Sequence, residues 1–434
     1  MNRNEEYQDL LKELERVPAE LDGTLDRAVK RRRRQVAIYR PLIGMAAAFA
    51  VFVLLVNGSE SVAYACSQIP ILRELAEAVT FSKSLSKAVE NEYVQEMNLV
   101  QTDGDVTAEI EYLIVDQKSV VIFYKLYSDK YQEIYSRKQI LSADGNEELQ
   151  VAWVDQNWAS NGELTYIRVD FEENVPNSMQ FVMEIFADDN YEEKQCVANV
   201  GFLLEFNPEF TSVGKRIELN KTFEVDGQVL IIQDIEIYPT QMRINISEGE
   251  NNSAWLQGLD FYIESGDEKF SAGVDGLVST GSIKENKVVS YRAESIYFYN
   301  AEKLELVVTG AKWLDKSQEK SYLNLKTGEN KGFPNNVKFI DTRNSEEGLQ
   351  VWVEVEQPID SGLYGIFSSY YDSEGNEFHF MPQGGRGVAE RIEGEKEYVH
   401  QFGTISNYKE DEVWMDFVYT SNIKLEEPIT VQIK

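Results

Sequence analysis

Few side chains in this chain suit nucleophilic or metal chemistry. Only two His (His379, His400) and two Cys (Cys66, Cys196) occur among 434 residues. Two thiols exclude a four-thiolate zinc site and a disulfide scaffold, leaving at most one bridge, Cys66–Cys196. No G-x-S-x-G, H-E-x-x-H, phosphate-binding loop or Cys-x-x-Cys is present. What remains is carboxylate chemistry. Asp103-Gly104-Asp105, Asp144-Gly145-Asn146-Glu147-Glu148 and Asp188-Asp189-Asn190 offer oxygens to Ca²⁺, but none has EF-hand spacing, and all read first as turns. A carboxylate pair could cleave a glycoside, yet with 74 Asp and Glu no pair stands out. The expectation is therefore a protein that is not an enzyme, with no catalytic residue, no cofactor and no metal.

Charge is the stronger signal. The 74 acidic side chains face 42 basic ones, for a formal net charge of -32. Such a surface repels phosphate, so no direct nucleic-acid partner is expected. The basic residues are not evenly spread. Residues 27–40 carry seven basic and no acidic side chains, including Arg31, Arg32, Arg33 and Arg34.

Behind that run comes PLIGMAAAFAVFVLLV, residues 41–56, with no charge at all. Its apolar side chains favour insertion into a bilayer by roughly 3–5 kcal/mol. Fifteen helical residues span only about 23 Å, but extension back to Val36 closes the gap to a ~30 Å hydrocarbon core. Tyr39 then falls in the interfacial belt and Arg40 snorkels toward water. The expectation is a transmembrane helix over 36–57 in contact with membrane lipid. The flanking arginines put the N-terminus in the cytoplasm and the C-terminus outside the cell membrane, as a single-pass protein. A rival reading is a signal peptide cleaved after Ala63-Tyr64-Ala65, against which stands an N-region of about 40 residues.

Before the span lies a patterned segment. Tyr7, Leu10, Leu11, Leu14 and Val17 share one face of a helix, and Leu21 and Leu25 continue an apolar set after Pro18. A cytosolic helical segment over 1–35 is too short to bury that stripe itself. Its acidic flanks disfavour anionic lipid, so the stripe fits a cytosolic protein partner.

After the span, residues 58–98 read as juxtamembrane helices, with apolar stripes broken around Thr80–Ser82, packed on the first outer domain. From residue 99 the period becomes two. Val120, Ile122 and Tyr124 alternate, as do Met242, Ile244 and Ile246, and Val351, Val353 and Val355. Turns centred on Gly145, Gly266 and Gly375 repeat 121 and 109 residues apart, and late strands at Met183, Leu304 and Val413 repeat at the same offsets. The fold expected is mainly β, with three tandem immunoglobulin-like antiparallel β-sandwich repeats over 99–206, 207–333 and 334–434.

The junction also carries a resemblance. Val17-Pro18-Ala19-Glu20-Leu21-Asp22, the Arg run, the span, Ile69-Pro70-Ile71-Leu72-Arg73-Glu74-Leu75 and Ala88-Val89-Glu90-Asn91-Glu92-Tyr93-Val94-Gln95 together resemble an uncharacterised family of single-pass membrane proteins from Gram-positive bacteria. These are similar to anti-sigma factors for extracytoplasmic-function sigma factors. The resemblance covers residues ~17–130 best. It implies a sigma factor as cytosolic partner and an envelope ligand outside, and it transfers no catalytic residue. The alternative is a membrane-anchored binding or adhesion protein with no transcriptional role.

Overall fold

A computed structural model describes residues 70–434, except 132, 156–157, 188–195, 210, 212–213, 274–278, 281–287, 300, 360–364, 381–388 and 407. The N-terminal apolar stripe, the Arg run, the uncharged stretch and Cys66 lie outside the described residues. Among the described residues no helix is long and apolar enough to cross a membrane. Residues 75–434 form one compact unit.

Two helices come first, α1 (Pro70–Ala78) and α2 (Lys83–Glu90). Proline suits the first position of α1, where its missing N–H has no intrahelical acceptor. Ser82 caps α2, its Oγ accepting from the Leu85 amide at 3.2 Å. The helical stretch ends at Glu90, earlier than expected, because the first strand already starts at Gln95.

The rest is antiparallel β, in six sheets that pair face to face. The first pair holds β1 (Gln95–Asp103), β2 (Val106–Val115), β3 (Ser119–Tyr127), β4 (Glu133–Ser142), β5 (Ala152–Asp155), β6 (Trp158–Ser160), β7 (Thr165–Asp170), β8 (Ser178–Ala187) and β9 (Cys196–Glu205). Its sheets run β1-β2-β3-β7-β5 and β6-β4-β8-β9. Ile110, Ile122, Tyr124, Ile167, Phe181 and Met183 are among the residues of the core between them.

In the second region come β10 (Lys215–Val225), β11 (Gln228–Ile237), β12 (Met242–Glu248), β13 (Ala254–Ser265), β14 (Glu268–Ser271), β15 (Ser279–Thr280), β16 (Val288–Ala293) and β17 (Glu305–Asp315). The third has β18 (Ser321–Asn324), β19 (Asn330–Lys331), β20 (Val337–Ser345), β21 (Gly348–Pro358), β22 (Phe367–Tyr371), β23 (Glu377–His379), β24 (Ala389–Glu393), β25 (Lys396–Ile405), β26 (Glu412–Phe417) and β27 (Ser421–Gln432).

The alternating triplets found in the sequence fall on β3, β12 and β21, and their side chains are fully buried. The landmark turns hold Gly145, Gly266 and Gly375 at φ of +75°, +60° and +86°, a region that favours glycine. One feature of β3 departs from the alternation. Its outward residues Val121 and Phe123 are also buried, because Leu75, Val79, Leu85 and Ala88 of the helical segment cover that face.

The boundary expected at 333/334 is displaced. In the first pair β8 pairs with the next strand, β9. By analogy β17 should pair with β18, and β26 with β27. Instead β17 pairs with β27, from Trp313 opposite Ser421 to Glu305 opposite Gln432. β18 pairs with β26, from Ser321 opposite Met415 to Asn324 opposite Glu412. The closing strands of pairs two and three are exchanged. Val431 and Ile433 thus enter the core of the second pair, and Leu323 that of the third. The crossing is pinned by Thr420, whose amide donates to Trp313 O at 2.7 Å and whose Oγ1 accepts from the Asp315 amide at 2.9 Å.

A fragment of residues 334–434 lacks β18 and β19 and carries β27 without its partner, so it should show no cooperative melt by circular dichroism. Residues 317–420 close both sheets of the third pair and should melt cooperatively with a β-type spectrum. Cooperative melting of 334–434 would count against the exchange.

Candidate functional site

Strand β7 reads Thr165-Tyr166-Ile167-Arg168-Val169-Asp170, and all six residues are buried. Ile167 and Val169 face the core of the first pair, so Arg168 and Asp170 point from the opposite face. Arg243 on β12 and Arg292 on β16 do the same on the second pair, beside inward Ile244 and Tyr291. The charged backs of these two sheets meet, and the charges are buried rather than solvated.

Asp170 is the hub. Its Oδ1 accepts from Arg243 Nη2 at 2.8 Å, and its Oδ2 from Arg292 Nη2 at 2.7 Å and Nε at 3.2 Å. Gln241 Nε2 donates to the same carboxylate. Arg243 also donates to Phe171 O at 2.8 Å. Asp116 opens the β2–β3 turn, accepting from the amides of Lys118 and Ser119 at 2.8 Å each. Its other oxygen accepts from the Thr240 hydroxyl at 2.6 Å and amide at 3.1 Å. Arg168 Nη2 in turn donates to Thr240 Oγ1 at 3.2 Å.

The helical segment joins through Glu294. That carboxylate accepts from the Lys83 amide at 3.1 Å, the Ser84 amide at 2.6 Å and the Ser82 hydroxyl at 3.2 Å. An anion here sits at the N-terminus of α2, where free amides and the helix dipole favour it. Ser84 Oγ accepts from the Ser295 amide at 2.6 Å.

Arg168, Arg243 and Arg292 face Asp116, Asp170 and Glu294, so the buried charges balance. Burial alone would raise the Asp170 carboxyl, but Arg292, Arg243 and Arg168 hold it below the ordinary carboxylate range. Burial wins at Asp116 and pushes it up, against the opposing bonds from Thr240 and Lys118. Burial likewise lowers Arg292, to about 10, with Asp170 resisting. The void among Ser82, Arg168, Thr240, Gln241 and Arg292 is only about 10 Å³, near the minimum for one water. The cluster admits no substrate. It fastens the helical segment and two sheet pairs to one another.

Two family profiles match parts of the chain. Residues 33–128 match a domain of unknown function, DUF4179, and residues 214–341 match a family of unknown function, DUF5643. The first match runs from the Arg run through the uncharged stretch and helices to the end of β3. The second passes β18, so the exchanged strand lies inside it. No curated protein matches. Among solved structures, the chain is similar to a conserved domain protein from Bacillus anthracis at 15% identity, over 55% of this chain and 85% of that one, with a TM-score of 0.40.

Of the sequence candidates, Tyr7, Leu10, Leu11, Leu14, Val17, Leu21, Leu25 and Arg31–Arg34 all fall outside the described residues. Cys196 is exposed on β9. His379 is exposed on β23, with Nδ1 3.2 Å from Ser369 Oγ, and His400 Nε2 is 3.7 Å from Glu354. The Asp144 carboxylate is used within its own turn, by Ser142 and Asn146. Among the described residues no group of three or more His, Cys, Asp or Glu is placed to hold a metal ion.

Sequence reasoning missed the junction. Its signal was an Arg inside an apolar strand, as in Tyr166-Ile167-Arg168-Val169, Met242-Arg243-Ile244 and Tyr291-Arg292-Ala293. A second feature was also missed, a groove of about 890 Å³ between β21 and β27, lined by Asn335, Gln357 and Asn422 together with Pro358, Ile423 and Leu425. Asn336 Oδ1 and both polar atoms of the Asn422 side chain are buried there without a hydrogen-bond partner.

Proposed function

We propose that this chain is a single-pass membrane regulator of the anti-sigma type and not an enzyme. Its cytosolic helix holds a sigma factor through Tyr7, Leu10, Leu14 and Val17, and its three immunoglobulin-like outer sandwiches read the cell envelope. What carries the reading is continuity. The DUF4179 match runs unbroken across the Arg run, the uncharged stretch, the helices and the first three strands. The helices that follow the uncharged stretch in sequence are fastened to the outer sheets through Glu294 and the apolar face of β3. A disturbance of the outer sheets is therefore passed to the helical segment.

The test is topology first. Protease added to intact protoplasts should degrade residues 57–434 and leave a small membrane-held fragment. Protection of the large part would refute the reading. A pull-down with residues 1–40 from native cytosol should then capture a sigma factor.

The groove between β21 and β27 favours a second reading, a membrane-anchored envelope-binding protein without a transcriptional role. Its mixed lining, with amide side chains beside Pro358, Ile423 and Leu425, suits a ligand that presents both polar and apolar groups. Ligand capture by the outer part with no sigma factor bound inside would favour it.

A further inference from the structure

The first sheet pair contains a second buried ionisable group that the junction does not use. Lys138 sits on β4, in one sheet, and Asp155 at the end of β5, in the facing sheet. Lys138 Nζ contacts Asp155 Oδ2, and the two side chains are 1% and 2% exposed. The surroundings do little to stabilise the charges. Nζ has one further acceptor, Ser136 O at 3.3 Å, and lies 5.5 Å over the Tyr124 ring. Asp155 Oδ1 is buried with no hydrogen-bond partner among the described residues.

We propose that Lys138 and Asp155 condense into an intramolecular amide bond that ties the two sheets of the first pair together. A buried ion pair with an unsatisfied oxygen is poorly compensated for lost hydration, and a neutral amide removes both charges. Burial lowers the ammonium and raises the carboxyl, so both groups lean toward their neutral forms. A proton passes from Nζ to the carboxylate, giving a free amine beside a carboxylic acid. The amine lone pair attacks Cγ, forming the N–C bond. The C–OH bond then breaks, and hydroxide leaves with one of the nitrogen protons as water. The nitrogen keeps its last proton as the amide N–H. No oxidant, cofactor or co-reactant is needed. Burial and the nearby Asp155 charge keep the Tyr124 phenol protonated, so its ring borders the pair as a neutral group. A cavity of about 150 Å³ lined by Lys138, Ile140, Leu149 and Trp153 gives the released water a place to go.

Other lysine–carboxylate pairs show what the reaction requires. Lys312 is 2% exposed, but its partner Asp260 is 35% exposed and keeps its water. Lys125 and Glu111 are 10% and 14% exposed. Contact between two groups both cut off from solvent distinguishes Lys138 and Asp155 from these.

The experiment uses the full chain, denatured in urea and digested. Trypsin cuts after a free Lys138 and next after Arg168. With the amide, the fragment should begin at Lys138, run to Arg168 and weigh one water less than its sequence. Cleavage at Glu147 or Glu148 by a glutamate-specific protease should leave its two halves joined. Lys138→Arg should show the full mass and separable halves. Full mass in the natural chain, with cleavage after Lys138, would overturn the proposal. Loss of one water with separable halves would also overturn it, since that marks an aspartyl succinimide, at Asp144-Gly145 or at Asp155.

Discussion

Asp170→Ala should destabilise the 75–434 unit by about 3–5 kcal/mol, the range for removing one partner of a buried pair. The size follows from what is left behind. Arg243 and Arg292 are each about 3–4% exposed and lose their carboxylate together. Gln241 loses its acceptor as well. The measurement is the shift in the urea midpoint, with amide hydrogen exchange at Lys83 and Ser84 to report release of the helical segment. A midpoint within about 1 kcal/mol of the natural protein, the level of an exposed pair, would mean that water reaches the cluster.

The pH dependence has a definite sign. Asp170 has a folded pKa below its unfolded value of about 4, so its stabilisation is present above that value. It is lost as pH falls through the depressed folded pKa. The stability gap between the natural protein and Asp170→Asn should therefore be constant near neutrality and close in acid below about pH 4. Asp116 acts in the opposite direction. Its folded pKa is raised, so its contribution is complete below the unfolded value and fades as pH climbs through the folded one.

The second large effect belongs to the N-terminal stripe and rests on the proposed anti-sigma reading. Leu10→Asp or Leu14→Asp should weaken sigma-factor binding at least ~10–100-fold. Burial of one Leu is worth roughly 1.5–3 kcal/mol, and each 1.4 kcal/mol is tenfold. The new carboxylate adds a desolvation penalty in an apolar groove. Lys12→Asp, off the stripe, should do much less. In cells the Leu variants should raise output from the sigma factor's own promoter while the protein stays in the membrane. Unchanged output with both Leu10 and Leu14 replaced would leave the envelope-binding reading ahead.

The β character was legible because side-chain alternation is local. Val120-x-Ile122-x-Tyr124 shows which side chains share a face, and the glycines at 145, 266 and 375 mark turns that need positive φ. What covers a face is not local. Nothing in Val121 or Phe123 says that two helices lie on them, and Arg168 looks like an ordinary outward residue until Thr240 and Asp116 are seen beside it. The strand exchange was hidden for a related reason. The alternating Ser321–Asn324 and Thr430–Ile433 fit either open sheet edge, so their local pattern does not say which edge each joins. The junction charges were masked by abundance, since a few meaningful carboxylates sat among 74.

The pairing of β17 with β27 has a mechanical consequence. A pull applied between the helical segment and Lys434 meets the Trp313–Ser421 pairing before it reaches residues 316–420. While that ladder holds, tension is short-circuited past the third sheet pair, which hangs off the load line. A grip on the third pair itself is shared by two parallel tethers, the links after Asp315 and Phe417. Whatever seizes the far end must strain both at once, and the load then arrives at the middle of the arm rather than at its tip.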